Sequence, residues 1–188
     1  MTGGASRRLG RDKAIVVVGG RRLCDRAAEV LTAVCHPVLE VGPGHTSLPA
    51  VRENPPGSGP LAALAAGWAA LGEPPPEAGV LVLALAVDMP GVTSELVRFV
   101  ATRPGTGTAV PLWGDRPQPL CARYGPATLA LAPGLLERGE RSLRALLDVA
   151  GAEVDWIGPE EWGAVAAADV FADIDEPGDL RRLFREFP

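Results

Sequence analysis

The sequence predicts an α/β sandwich with a mostly parallel sheet, and three observations carry that expectation. Apolar runs rich in β-branched residues alternate with segments of helical periodicity, the run 80–87 (VLVLALAV) is apolar at every position, and proline and glycine punctuate the connections. A strand covered by helices on both faces loses the in-out alternation of a half-exposed strand, and 80–87 has none.

In chain order, IVVV at 15–18 reads as a strand and is followed by a helix over 23–35, with Leu23, Ala27, Val30, Leu31 and Val34 on one face. PVLEV at 37–41 is a second strand, and 42–60, dense in Pro and Gly, is a long loop. A helix over 60–71 starts with Pro60 at its first position, where a missing N–H costs nothing. The buried strand 80–87 and a helix over 94–102 come next. TAVPLW at 108–113 and LCARY at 120–124 are strands joined by the turn-rich WGDRPQP, which makes them one antiparallel excursion. A helix over 142–150, a strand at 153–157 (EVDWI) and a helix over 178–187 complete the pattern. No repeat or shift in composition calls for a second domain, so residues 1–188 are expected to form one.

Composition narrows the function classes. The longest apolar run, eight residues, is far short of the ~20 that span a bilayer, and no cleavable signal pattern opens the chain, so a soluble, cytoplasmic protein without a membrane partner is expected. Cys24, Cys35 and Cys121 lack CxxC spacing and read as buried thiols rather than a disulfide framework or a zinc site. The net charge of −5 argues against a general nucleic-acid surface. It hides an asymmetry, because residues 1–26 hold seven Arg/Lys against two Asp, a net +5, which leaves −10 for the remainder. The amino end is therefore a local anion site in an acidic protein.

TGGASRRLGRDKA at 2–14 packs glycines, adjacent arginines and a lysine into a span too short for separate elements. Glycines let backbone N–H groups approach oxyanions, and the cations balance triphosphate charge. The segment matches neither GxxxxGK[ST] nor GxGxxG. Of 18 basic residues 17 are arginine, and the lone lysine, Lys13, sits in this loop, as expected of a position that needs a compact point charge. Asp88 follows the buried strand at the edge where open α/β sheets bind ligands, and it lies five residues too early to cap the helix beginning near Thr93. It is the candidate ligand for the Mg²⁺ that triphosphate chemistry uses. GSGPLAAL at 57–64 offers Gly59 and a helix start whose N–H groups could meet ribose or base. ADIDEPGDL spaces Asp173 and Asp175 two apart, and Asp175 is either a helix N-cap or a second metal carboxylate.

Taken together, the xGGxSRRLGxDK loop, GPLA, DMP after a buried strand, QPLCARY and DxDxPxDL resemble the molybdenum cofactor guanylyltransferase family over nearly the whole chain. The resemblance implies a three-layer α/β/α sandwich of the Rossmann-like nucleotidyltransferase type, which binds GTP with Mg²⁺ and joins GMP to the terminal phosphate of molybdopterin. It also implies contacts with other cofactor-assembly proteins. It places Met1, Thr2, Gly3 and Gly4 along the nucleotide, Lys13 and arginines such as Arg8 on its phosphates, and Asp88 on the metal. Asn54 falls where the family tends to have a nucleotide-contacting aspartate, and Asp173 and Asp175 stand where the guanylyl branch shows asparagines and the cytidylyl branch aspartates. In the family the glycine loop follows a core strand, whereas here it begins at residue 2, so that strand either lies upstream of Met1, the favoured expectation, or is missing from the sheet. The alternatives are a molybdopterin cytidylyltransferase and a non-catalytic nucleotide-binding assembly factor.

Overall fold

The computed structural model describes residues 1–2, 12–72, 79–174 and 178–179. Among the described residues the first elements are a 3₁₀ turn, Lys13–Ile15, and a two-stranded ribbon, β1 (Val17–Val18) and β2 (Arg21–Arg22). Only half of the strand expected at 15–18 forms, and it stays out of the main sheet. Gly19 and Gly20, at φ 57 and 77, make a two-residue hairpin turn that folds Val17–Val18 back on Arg21–Arg22 at once.

Helix α1 (Leu23–Thr32) follows, and then β3 (Glu40–Val41), shorter than the 37–41 expected. β3 pairs in parallel with β4 (Ala50–Val51), a strand concealed within what the sequence presents as a loop. Helix α2 (Pro60–Ala70) has Pro60 in its first turn, and Gly59 before it is favoured on two counts. Its φ is +94°, and an added Cβ would lie 3.1 Å from the Arg141 Cβ and 3.2 Å from the Arg141 carbonyl oxygen.

The main sheet contains β5 (Val82–Leu85), β6 (Thr108–Trp113), β7 (Arg116–Pro117), β8 (Cys121–Tyr124) and β9 (Val154–Ile157). β9 pairs parallel with β6, while β8 runs antiparallel between β5 and β6, so the expected excursion is an insertion rather than a simple hairpin. β7 adds an antiparallel pairing at the end of β6. The fold is thus α/β with a mixed sheet: β5, β6 and β9 share one direction and β8 opposes them. Helix α3 (Ser94–Ala101) links β5 to β6, and α4 (Pro126–Leu129), α5 (Ala132–Glu137) and α6 (Leu143–Ala150) lie between β8 and β9.

Neighbouring residues on each strand enter different cores, as the two-residue period of a strand demands. Ala84, Val110 and Ala122 face a cluster with Leu61 and Leu64 of α2 and Leu143, Leu146 and Leu147 of α6. Leu85, Ala109 and Cys121, each one residue away, face Leu96, Val97 and Val100 of α3 and the apolar side of α1. Helices therefore cover both faces of the sheet. Cys24 and Cys121 are buried thiols as expected, but Cys35, at the open end of α1, is only half-buried. The helix expected over 178–187 falls almost wholly outside the described residues.

Met1 and Thr2 bridge two sheets. The Met1 amine donates to the Leu85 carbonyl of β5 (2.6 Å) and the Thr2 N–H to the Val41 carbonyl of β3 (2.9 Å). Beneath this bridge an apolar cavity of about 350 Å³ runs between the two strands, lined by Leu39, Val41, Val82 and Ala84 among others.

Candidate active site

A second cavity, about 380 Å³, opens beyond the carboxyl end of β5 and is lined by Met1, Thr2, Asp12, Lys13, Glu53, Gly57, Gly59, Pro60 and Asp88. Its position follows from topology, since the chain leaves β5 through Ala86 and Val87 and Asp88 is delivered at the strand's carboxyl edge. The Lys13 ammonium lies 3.4 Å from Asp88 Oδ2, with the two side chains 18% and 28% exposed. Two groups 75 residues apart therefore share one wall of one cleft.

The lysine sits on a short turn held by its neighbour. Asp12 Oδ1 accepts the Ala14 N–H at 2.9 Å, capping the turn, and Asp12 Oδ2 takes the His45 Nε2 at 2.8 Å. On the other side of the cleft the Gly59 turn presents the start of α2. The Leu61 N–H at that start is already given to the Arg141 carbonyl (3.1 Å), so fewer donors face the cleft than the sequence leads one to expect.

Glu40 is the buried charge behind the site, 3% exposed. Its carboxylate accepts from Thr2 Oγ1 (2.6 Å), the N–H groups of Gly44, His45 and Thr46, and Thr46 Oγ1. Burial pushes this carboxyl's pKa up, but the bonds from Thr2, His45 and Thr46 outweigh burial and hold it at about 2. Because that lies below the usual 4.5, the stabilisation is complete above about pH 4.5 and is lost as pH falls toward 2. A depression of this size corresponds to about 3 kcal/mol. Glu40→Gln is therefore expected to lower unfolding free energy by about 3 kcal/mol at pH 7, with roughly half that difference gone at pH 3, as urea titrations at the two pH values would read.

Met1, Thr2, Lys13, Gly59, Pro60 and Asp88, all candidates from the sequence, come together around the cleft. Gly3, Gly4, Arg8 and Asp175 lie outside the described residues. Asn54 is exposed and does not line the cleft, whereas its neighbour Glu53 does, with Oε1 accepting the Gly57 N–H at 2.8 Å. Among cations near the later motifs, Arg123 is 1% exposed and spends its guanidinium on the carbonyls of Ala101, Arg103 and Gly107, which makes it an internal brace. Arg144 pairs with Asp148 on the surface of α6.

A divalent cation fits the donors present. Asp88 offers a hard, partly exposed oxygen donor on the cleft wall, and such ions take one or two carboxylates plus phosphate and water. The Ile174 N–H donates to the Asp88 carbonyl (2.9 Å), so the segment carrying Asp173 runs alongside. Among the described residues no group of three His, Cys, Asp or Glu gathers as an all-protein metal cage.

A lysine turn and a strand-end carboxylate thus face one cleft at the carboxyl edge of a mixed α/β sheet, and the family that the chain matches is one of nucleotidyltransferases. The chain belongs to the MobA-like NTP transferase domain family, which it matches over residues 1–154. It is 36% identical, over 96% of its length and 90% of the relative's, to a probable molybdenum cofactor guanylyltransferase of Deinococcus radiodurans. A protein of the same description from Mycobacterium tuberculosis is 36% identical over 81% of this chain and 79% of its own. Among solved structures, molybdopterin-guanine dinucleotide biosynthesis protein A from Archaeoglobus fulgidus superposes with a TM-score of 0.81 at 20% identity, covering 98% of this chain and 95% of that one. The 2-C-methyl-D-erythritol 4-phosphate cytidylyltransferase of Thermus thermophilus superposes at 0.64, with 93% of each chain covered and 20% identity. These two structures speak for the fold. No helix among the described residues is long and apolar enough to cross a membrane.

Proposed function

We propose that this protein transfers GMP from GTP to the terminal phosphate of molybdopterin, releasing pyrophosphate, as a cytoplasmic step in making the molybdenum cofactor. The observation that carries this reading is the 3.4 Å approach of Lys13 and Asp88 across the wall of one cleft. The guanylyl assignment is supported by the relatives that share 36% of their residues with this chain.

A phosphate oxygen of the pterin attacks the α-phosphorus of GTP in line, and the bond to the β-phosphate's bridging oxygen breaks. Phosphate oxygens need no general base at neutral pH, so the protein works by positioning and charge neutralisation. Lys13, with Arg8 and the loop around Gly3 and Gly4, holds the triphosphate, while Met1, Thr2, Gly59 and Pro60 border the nucleoside. Asp88 would hold Mg²⁺, with Asp175 as a second carboxylate; the ion supplies charge neutralisation at the phosphate oxygens. Glu53 supports guanine over cytosine, because a carboxylate only accepts hydrogen bonds. Guanine presents two adjacent donors, N1–H and N2–H, that one carboxylate can take together, whereas cytosine presents a single donor, N4–H, beside the N3 and O2 acceptors.

The aspartates Asp173 and Asp175 favour a second reading, a cytidylyl enzyme. Pyrophosphate release with molybdopterin, Mg²⁺ and either nucleotide separates the two. GTP is expected to exceed CTP in kcat/KM by about 10- to 10²-fold, the scale of one bidentate contact to a base edge. A preference for CTP would select the second reading, and pyrophosphate release with neither nucleotide would reject both.

A further inference from the structure

His45 lies far from the glycine loop in sequence, yet its ring reaches into that loop. Its Nε2 is 2.8 Å from Asp12 Oδ2, and Asp12 uses its other oxygen to cap the turn that carries Lys13. An ionised carboxylate only accepts hydrogen bonds, so Nε2 must carry a proton here whether the ring is neutral or charged. Behind the ring, the His45 N–H is fixed at 2.9 Å on Glu40 Oε1, and Glu40 sits on β3, paired with β4. A continuous set of bonds thus runs from a buried strand through Glu40, the 44–46 loop, His45 and Asp12 to the lysine turn. That turn has three residues, and an isolated 3₁₀ turn of this length has too few bonds of its own to define where its side chains point.

We propose that His45 is a positioning residue for the transfer reaction, which through Asp12 sets the Lys13 ammonium against Asp88 where the triphosphate must lie. It touches neither substrate nor metal. The inference rests on the reading of Lys13 as a triphosphate ligand. Loss of a support one step removed from a reacting group can cost up to about 10²-fold when the group moves by an ångström.

The test measures pyrophosphate release and the dissociation constant for GTP in His45→Ala, His45→Gln and Asp12→Asn, each made in the natural chain and together with Lys13→Ala. His45→Ala is expected to lower kcat/KM for GTP roughly tenfold and to weaken GTP binding. His45→Gln, whose amide N–H can reach Asp12, should recover most of that loss, and Asp12→Asn should reproduce it. With Lys13 already alanine, His45→Ala should weaken GTP binding no further. Wild-type kinetics in His45→Ala, or an equal additional loss without the lysine, would overturn the proposal. If His45→Ala fails to fold, the glutamine and Asp12→Asn variants decide: a tenfold loss in Asp12→Asn that vanishes in the Lys13→Ala background supports the assignment, and wild-type behaviour of Asp12→Asn removes it. Full activity in Lys13→Ala alone would instead strike the underlying reading of Lys13 and take this inference with it.

Discussion

Asp88→Ala is expected to reduce GMP transfer by about 10³-fold or more while leaving the fold in place. The carboxylate is 28% exposed at the end of a strand whose own residues, Ala84 and Leu85, stay packed in the two cores. Its pairing with Lys13 is a part-exposed ion pair, worth about 1 kcal/mol or less to stability. Activity and stability therefore separate cleanly: pyrophosphate release should collapse, and the thermal midpoint should shift by only a few degrees. Asp88→Asn sharpens the test, since the amide keeps the shape and one oxygen but loses the charge a cation would need. Wild-type rates in either variant would end the metal role assigned to this residue.

Lys13→Ala is expected to cost about 10²- to 10³-fold in kcat/KM for GTP, the scale on which a preorganised charge at a reacting phosphate acts. Lys13→Arg is the more revealing change. It keeps the charge but replaces a point ammonium with a broad planar fork on a turn whose cap is already occupied by Asp12. Activity is expected to fall at least tenfold, measured as pyrophosphate release under saturating pterin. Unaltered kinetics in the arginine variant would show that charge alone suffices, and the retention of a single lysine among 17 arginines would carry no meaning.

Much of the fold is legible in local pattern because local pattern causes it. The Pro60 helix start and the amphipathic 143–150 segment form where their residues say they should, whereas the apolar run at 80–87 forms a strand over Val82–Leu85 only, with Val80 exposed. The features hidden from the sequence are short or long-range. β4 is two residues set among prolines and glycines, and it exists because β3 offers it a parallel edge, which no window of sequence can show. The 15–18 run looks like a strand by composition, yet Gly19 and Gly20 turn it into a ribbon.

The site shows the same division. Lys13 and Asp88 stand out through residue type and position, but their convergence depends on a fold that brings residues 75 apart together. Motif spacing points to Asn54, but which of two neighbouring loop residues lines the cleft depends on the fold, and here it is Glu53. His45 belongs to no motif, and its bond to Asp12, 33 residues away, follows from the way Glu40 gathers the 44–46 loop. Glu40 does carry a local signal, as a charged residue inside an apolar PVLEV run, a pattern that marks a carboxylate with dedicated partners.

The most direct measurement is a crystal structure with GTP and a divalent cation bound. The account predicts the triphosphate lying between the Lys13 ammonium and a cation held by Asp88, with the guanine edge toward Glu53. A nucleotide seated elsewhere, or one whose phosphates engage only one of those two residues, would contradict it.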